Sequence, residues 1–237
     1  MTLAVNPTRP QVLGAEVARL FSPAVSTVVV DAADGPFEVL PLEAAAVARA
    51  VPSRRREFSA GRTAARRAMS GLGLSGLALP QGPDRAPVWP RGVVGSLSHS
   101  GEVCVSAVAQ SKDVLGIGID IEVDSELDDD VLPIICNDTE IAWLDQQSPT
   151  ERLHLAKIVF SAKETVYKFQ YPLSRIVFGF DGLNIDLDLS SERFSASFMQ
   201  SVGPFPRGTR LDGLFLRSRG WIVTALEVAR SKENFTL

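Results

Sequence analysis

The stretch GIGIDIEVD, residues 116–124, sets Ile117, Ile119, Ile121 and Val123 in alternation with Gly118, Asp120, Glu122 and Asp124. In an extended strand these two sets point to opposite faces. One face is apolar enough to enter a core. The other lines up carboxylates, and like charges placed side by side repel. A hard divalent cation would relieve that repulsion, since Mg²⁺ takes a few carboxylates together with substrate phosphates. A solvated strand edge would tolerate the same pattern. NIDLDLS repeats it at Asp186 and Asp188, so spacing does not choose between the two strands.

Three further groups carry candidate chemistry. In FSAKETVYK, residues 160–168, Glu164 and Lys168 are four apart and therefore neighbours on one helix face. Glu164 offers a third carboxylate or a general base. Lys168 offers a point charge for a phosphate. The bland reading is a surface Glu–Lys pair. The arginine run Arg54, Arg55, Arg56, Arg62, Arg66 and Arg67 puts Arg55, Arg62 and Arg66 on one helical stripe with Arg54 beside it. In an acidic chain this is either a local anion site or a solvated face. Arg85 and Arg91, in a proline-rich loop, extend such a patch. GSLSHSG, residues 95–101, reads as a turn whose small residues and His99 let a phosphate approach the backbone. Ser98 and His99 do not make a hydrolase pair, because neighbours on a strand point apart and no G-x-S-x-G turn is present. His154 falls inside a helical run and is read as structural.

These groups need elements to position them. The sequence predicts strands at 26–30 and 93–110, the latter folded around a Ser/His/Gly turn, and the strand 116–123. Helices are expected over 41–51, ended by Pro52, and from Ser53 as cap to Gly71 or Gly73. A loop fills 81–92. In the second half DTEIAWLDQQ starts a helix, with Asp138 or Thr139 as its cap. One long or two broken helical segments span 148–170, with Pro172 as the stop. Strands follow at 182–190, 193–199 and 220–229. Helices then strands, twice over, give an α+β protein of two similar halves, 1–113 and 114–237.

The bulk numbers exclude several classes. The chain has 237 residues, 45% of them hydrophobic and 22% charged, which suffices for a sizeable core. Its 24 Lys+Arg against 28 Asp+Glu leave a net charge of −4, which argues against a nucleic-acid coat. Cys104 and Cys136 are its only cysteines and form no disulfide framework. No signal peptide or membrane-spanning run is read. A soluble, cytoplasmic protein is expected.

Taken in order, SLSHS (96–100), GIDIE (118–122) and FSAKETVYK resemble the 4′-phosphopantetheinyl transferases of the Sfp class, in particular the bacterial subgroup related to enterobactin-synthetase component D. RRREFSAGR (54–62) and APVWPRGVVGSLSH (86–99) also look like that subgroup, and the likeness covers about 54–172. The resemblance implies two similar α/β layers related by a pseudo-twofold, with the active site between them. It implies transfer of the phosphopantetheine arm of coenzyme A to a serine of an apo carrier protein, releasing adenosine 3′,5′-bisphosphate. It selects Asp120 and Glu122 over Asp186 and Asp188, and joins them with Glu164 and the carbonyl of Ile121 as ligands of Mg²⁺, with Mn²⁺ open. Glu164 takes the serine proton and Lys168 stabilises the leaving bisphosphate. Arg54 and Arg62 hold the nucleotide end of coenzyme A, and His99 with Ser98 contacts its 3′-phosphate. Relatives often carry a lysine near 81–85; Arg85 stands in for it here. Thr165 replaces a serine frequent in relatives. A monomer serving acyl or peptidyl carriers is implied, in polyketide, nonribosomal peptide or siderophore synthesis. A metal-dependent nucleotide pyrophosphatase, or a non-catalytic module binding coenzyme A or a carrier, remain alternatives.

Overall fold

The computed structural model describes residues 10–231. The chain divides into two compact units, one of Thr8–Ile117 with Glu227–Arg230 and one holding Gly118–Leu226. Both mix helices with an antiparallel sheet, as expected for an α+β protein.

The first unit holds α1 (Pro10–Ala18), β1 (Ser26–Asp31), α2 (Pro52–Gly71), β2 (Val93–Ser100) and β3 (Val103–Gln110). The three strands pair antiparallel in the order β1-β3-β2. α2 is rich in alanine, a strong helix former. Its small residues let it lie close on the sheet, where Ala60 and Ala64 pack with Val30 and Cys104, and Ala68 and Met69 with Val93 and Val108.

Three sequence expectations change here. The helix expected over 41–51 shrinks to a single 3₁₀ turn at Ala44–Val47. The cause is Glu43, whose fully buried carboxylate accepts from the backbone N–H groups of Leu40 (3.0 Å) and Leu79 (2.9 Å) and holds Arg66. Those long-range bonds override helix propensity. Pro52 starts α2 rather than ending a helix before it. At a first helical position its missing N–H costs nothing, and Ser53 lies inside the helix instead of capping it. The turn expected across GSLSHSG is confined to its last residue: β2 runs through Ser100, and Gly101, at φ 53°, makes the reversal.

β4 (Val114–Val123) carries the chain into the second unit. There follow α3 (Leu132–Ile135), α4 (Asp138–Leu144), α5 (Pro149–Ser174), β5 (Leu183–Asp188), β6 (Arg193–Phe198), β7 (Arg210–Ser218) and β8 (Trp221–Ala229). The sheet order is β4-β8-β7-β6-β5. α4 is capped by Asn137, not by Asp138 or Thr139. Its side chain accepts from Glu140 N while Glu140 reaches back to Asn137 N, a reciprocal capping box. α5 is one unbroken helix and continues past Pro172, which falls in its last turn. It ends at Arg175, at φ 58°, whose N–H bonds the Tyr171 carbonyl. β7 was not legible, because Gly213 interrupts its alternation. The glycine is required there: a Cβ would collide with the ring of Phe194 on β6, its cross-strand partner.

Candidate active site

The polar face of β4 is covered by α5, running in the opposite direction. His154, Lys157, Ser161 and Lys168 fall on one side of that helix, at steps of three, four and seven residues. They answer the alternate residues of β4 in turn. His154 Nδ1 lies 3.2 Å from Asp124 Oδ1, and Lys157 Nζ lies 3.2 Å from Glu122 Oε2. Ser161 Oγ donates to Asp120 Oδ2 at 2.8 Å, and Lys168 Nζ donates to Asp120 Oδ1 at 2.6 Å. At Gly118 the helix comes closest, since a Cβ there would drive into the Thr165 carbonyl. Helix side chains spaced about 5 Å apart thus meet strand side chains spaced about 6.6 Å apart over several residues.

Ser161 is held from behind. Thr224 on β8 donates to the Ser161 carbonyl at 2.9 Å, and the Thr165 and Thr224 hydroxyls lie 2.6 Å apart. All three hydroxyl residues are fully buried. Asp120 is buried as well, so its carboxylate is fixed in orientation. Ile121, between the two carboxylates, turns a fully buried side chain to the other face. Val123 is not part of that core; it is 42% exposed.

Burial raises the proton affinity of Glu122, and the neighbouring Asp120 raises it further, while Lys157 and Lys168 oppose the shift. Glu164 is raised in the same way, first by burial; Lys168 lowers it, and Asp120 and Glu122 raise it. Asp120, Glu122 and Glu164 influence one another electrostatically and offer only oxygen donors, the kind a hard cation takes. Among the described residues no three ligating side chains stand gathered at metal-binding range. Asp120 and Glu122 are instead drawn to lysines.

The twin pattern on β5 differs in its surroundings. Asp186 and Asp188 are exposed. Asp188 is held down at about 2 by the hydroxyls of Ser190 and Ser191, then by the Ser190 backbone, which makes it the anchor of a turn. Asp124 is likewise structural: Arg217 Nε contacts both its oxygens, at 2.9 and 2.8 Å, and also ties in Glu151.

Lys163, adjacent to Glu164, does not belong to the site. It is 1% exposed and donates to Glu140 Oε2 and the Ile135 carbonyl, each at 2.7 Å, and to the Phe180 carbonyl at 3.0 Å. Sequence reasoning also missed Lys157 and Ser161. The only available signal was their placement on the Glu164–Lys168 side of the helix.

The first unit holds the other predicted residues. Arg54 Nη1 lies 2.9 Å from His99 Nε2. A guanidinium only donates, so Nε2 is the acceptor side of this contact. Arg62 is 4% exposed, stacks 4.2 Å over the Phe58 ring, and its buried Nε has no hydrogen-bond partner. Burial lowers it to about 10; Glu43 opposes that shift, and Arg54 and Arg66 add to it. The first turn of α2 presents Arg54, Arg55 and Arg56 with no acidic residue and no side-chain cap. Cations at a helix N-terminus oppose the dipole, and an anion relieves both. Arg66 is a different case: its bonds to Glu43 (2.8 and 2.6 Å), the Glu38 carbonyl and Thr63 make it structural. Ser98 is buried on the strand face opposite His99, so the two side chains are not brought together. Arg85 is exposed on the 81–87 loop at φ 67°.

Known proteins match both regions. Residues 42–109 match the 4′-phosphopantetheinyl transferase N-terminal domain, and residues 116–205 match the 4′-phosphopantetheinyl transferase superfamily. The chain is 40% identical over 204 residues to the 4′-phosphopantetheinyl transferase Svp of Streptomyces mobaraensis, covering 84% of this chain and 82% of that one. It is 34% identical to PptT of Mycobacterium tuberculosis, over 79% of this chain and 85% of that one. Enterobactin synthase component D of Salmonella typhi is 34% identical over about half of each chain, 48% and 47%. The β4–α5 carboxylate site lies wholly inside the second matched region, and the chain belongs to the 4′-phosphopantetheinyl transferase superfamily.

Proposed function

We propose that this chain moves the 4′-phosphopantetheine group of coenzyme A onto a serine of an apo carrier protein and releases adenosine 3′,5′-bisphosphate. The observation that carries the reading is the face of α5 laid against Asp120 and Glu122 inside the matched region. Asp120, Glu122 and Glu164, with the Ile121 carbonyl, would hold a divalent cation, Mg²⁺ or Mn²⁺, whose charge offsets that of the pyrophosphate.

The chain's own residues supply the rest. Arg62, with its orphaned Nε, and Arg54, poised on His99, take the nucleotide phosphates. His99 contributes its ring there and Ser98 only its backbone. Arg85 is the cation available on the 81–87 loop. Glu164, raised toward neutrality by burial, accepts the serine proton directly or through a water. The serine oxygen then bonds to the phosphorus bearing pantetheine, and the bond from that phosphorus to the bridging oxygen breaks. Lys168 carries the charge that develops on the departing bisphosphate. One chain holds all of these groups, so a monomer suffices. Two free buried thiols, Cys104 and Cys136, suit the cytoplasm.

Incubating the protein with coenzyme A, Mg²⁺ and a panel of apo carrier proteins tests this. Intact mass should show one phosphopantetheine added to a carrier serine. No modification of any carrier would overturn the reading.

A further inference from the structure

Lys157 lies outside the FSAKETVYK motif and has no part in the chemistry above. It is nevertheless the cation on Glu122, at 3.2 Å, with both side chains mostly buried at 16% and 20% exposure. Its ammonium also lies 5.4 Å from the centroid of the Phe160 ring. A lysine stem is long and flexible, so the ammonium can leave one carboxylate oxygen without moving the helix. The aromatic face gives it somewhere to rest nearby.

An ammonium and a divalent cation compete for the same carboxylate oxygens. Lys168 plays this part at Asp120 but is also committed to the leaving group. Lys157 has no such second task. We infer that Lys157 sets how strongly this carboxylate site takes a divalent cation, by occupying Glu122 until that cation arrives. The inference rests on the cation site proposed above. It makes Lys157 a positioning residue, acting through Glu122, and predicts that removing its charge tightens cation binding. A structural salt bridge would predict the reverse, because losing it would leave Glu122 less ordered.

The test is calorimetric titration of Mn²⁺ into coenzyme A-free protein at one neutral pH, for wild type, Lys157→Met and Lys157→Arg. Thermal unfolding of each variant confirms its fold, and Lys157→Gln replaces Lys157→Met if that variant does not fold. At an effective dielectric suited to half-buried charges, the Mn²⁺ Kd should fall on the order of tenfold in Lys157→Met and stay within about twofold in Lys157→Arg. A Kd unchanged or raised in Lys157→Met overturns the inference. Absence of saturable Mn²⁺ binding by wild type and all variants overturns the cation site itself.

Discussion

At the scale of single residues, neighbouring arginines on α2 carry opposite assignments. Arg66 neutralises the buried Glu43 through two short bonds. Arg66→Met leaves that carboxylate buried and unpaired, and thermal or urea unfolding should show a loss of about 3–5 kcal/mol. Arg62 sits one turn earlier, desolvated and with an orphaned Nε. Arg62→Met removes a charge that burial disfavours, so stability should hold or rise. Its affinity for coenzyme A, read by calorimetry, should drop roughly 10- to 100-fold, the worth of a lost charged hydrogen bond. The sequence placed both arginines on one stripe and could not separate them. What separates them is Glu43, more than a full helix away along the chain. The same limit hid Lys157 and Ser161: their place on the Glu164–Lys168 side of the helix takes on meaning only once β4 lies beneath them. Asp120, Glu122, Glu164 and Lys168 were legible because alternation and four-residue spacing are local properties. Choosing them over Asp186 and Asp188 needed the accompanying motifs, and the structure shows the difference as burial against exposure.

At the scale of elements, the site depends on how closely α5 approaches β4. Gly118 permits that approach, because any Cβ would meet the Thr165 carbonyl. Gly118→Ala should cost about 1–3 kcal/mol in thermal unfolding, as overpacking does. Transfer activity should fall by more than that instability explains, measured at a temperature where the variant is fully folded, because the helix that must shift also carries Ser161, Glu164 and Lys168. Most elements were legible from periodicity: β1, α2, β2 to β6 and β8 appear where the sequence puts them. The 41–51 segment gives up its helix to satisfy a buried carboxylate, Pro172 is accommodated in a final turn, and β7 carries a glycine for the sake of Phe194. The 41–51 and β7 exceptions are contacts between segments distant in sequence, whereas Pro172 is tolerated locally, three residues before the helix ends at Arg175.

At the scale of the whole molecule, both thiols are buried and raised to about 12, by burial first and then by nearby carboxylates, Glu57 at Cys104 and Glu140 at Cys136. They should resist alkylation by iodoacetamide at mildly alkaline pH and react only on unfolding. The sign for stability follows from linkage. Between about 9 and about 12 the unfolded thiols release protons that the folded ones keep, so stability present below about 9 is lost as pH rises through that window. Denaturant midpoints measured from neutral pH upward check this, and Cys104→Ala/Cys136→Ala should flatten the dependence. The central claim is that the β4 carboxylates and the face of α5 carry phosphopantetheinyl transfer. The most direct measurement is the initial rate of carrier modification, by intact mass, for wild type and Glu164→Gln under saturating coenzyme A and Mg²⁺. Glu164→Gln should lower that rate roughly 10²- to 10⁴-fold with the fold intact by circular dichroism, the range expected for removing a general base. A Glu164→Gln enzyme that modifies the carrier at the wild-type rate would contradict the central claim.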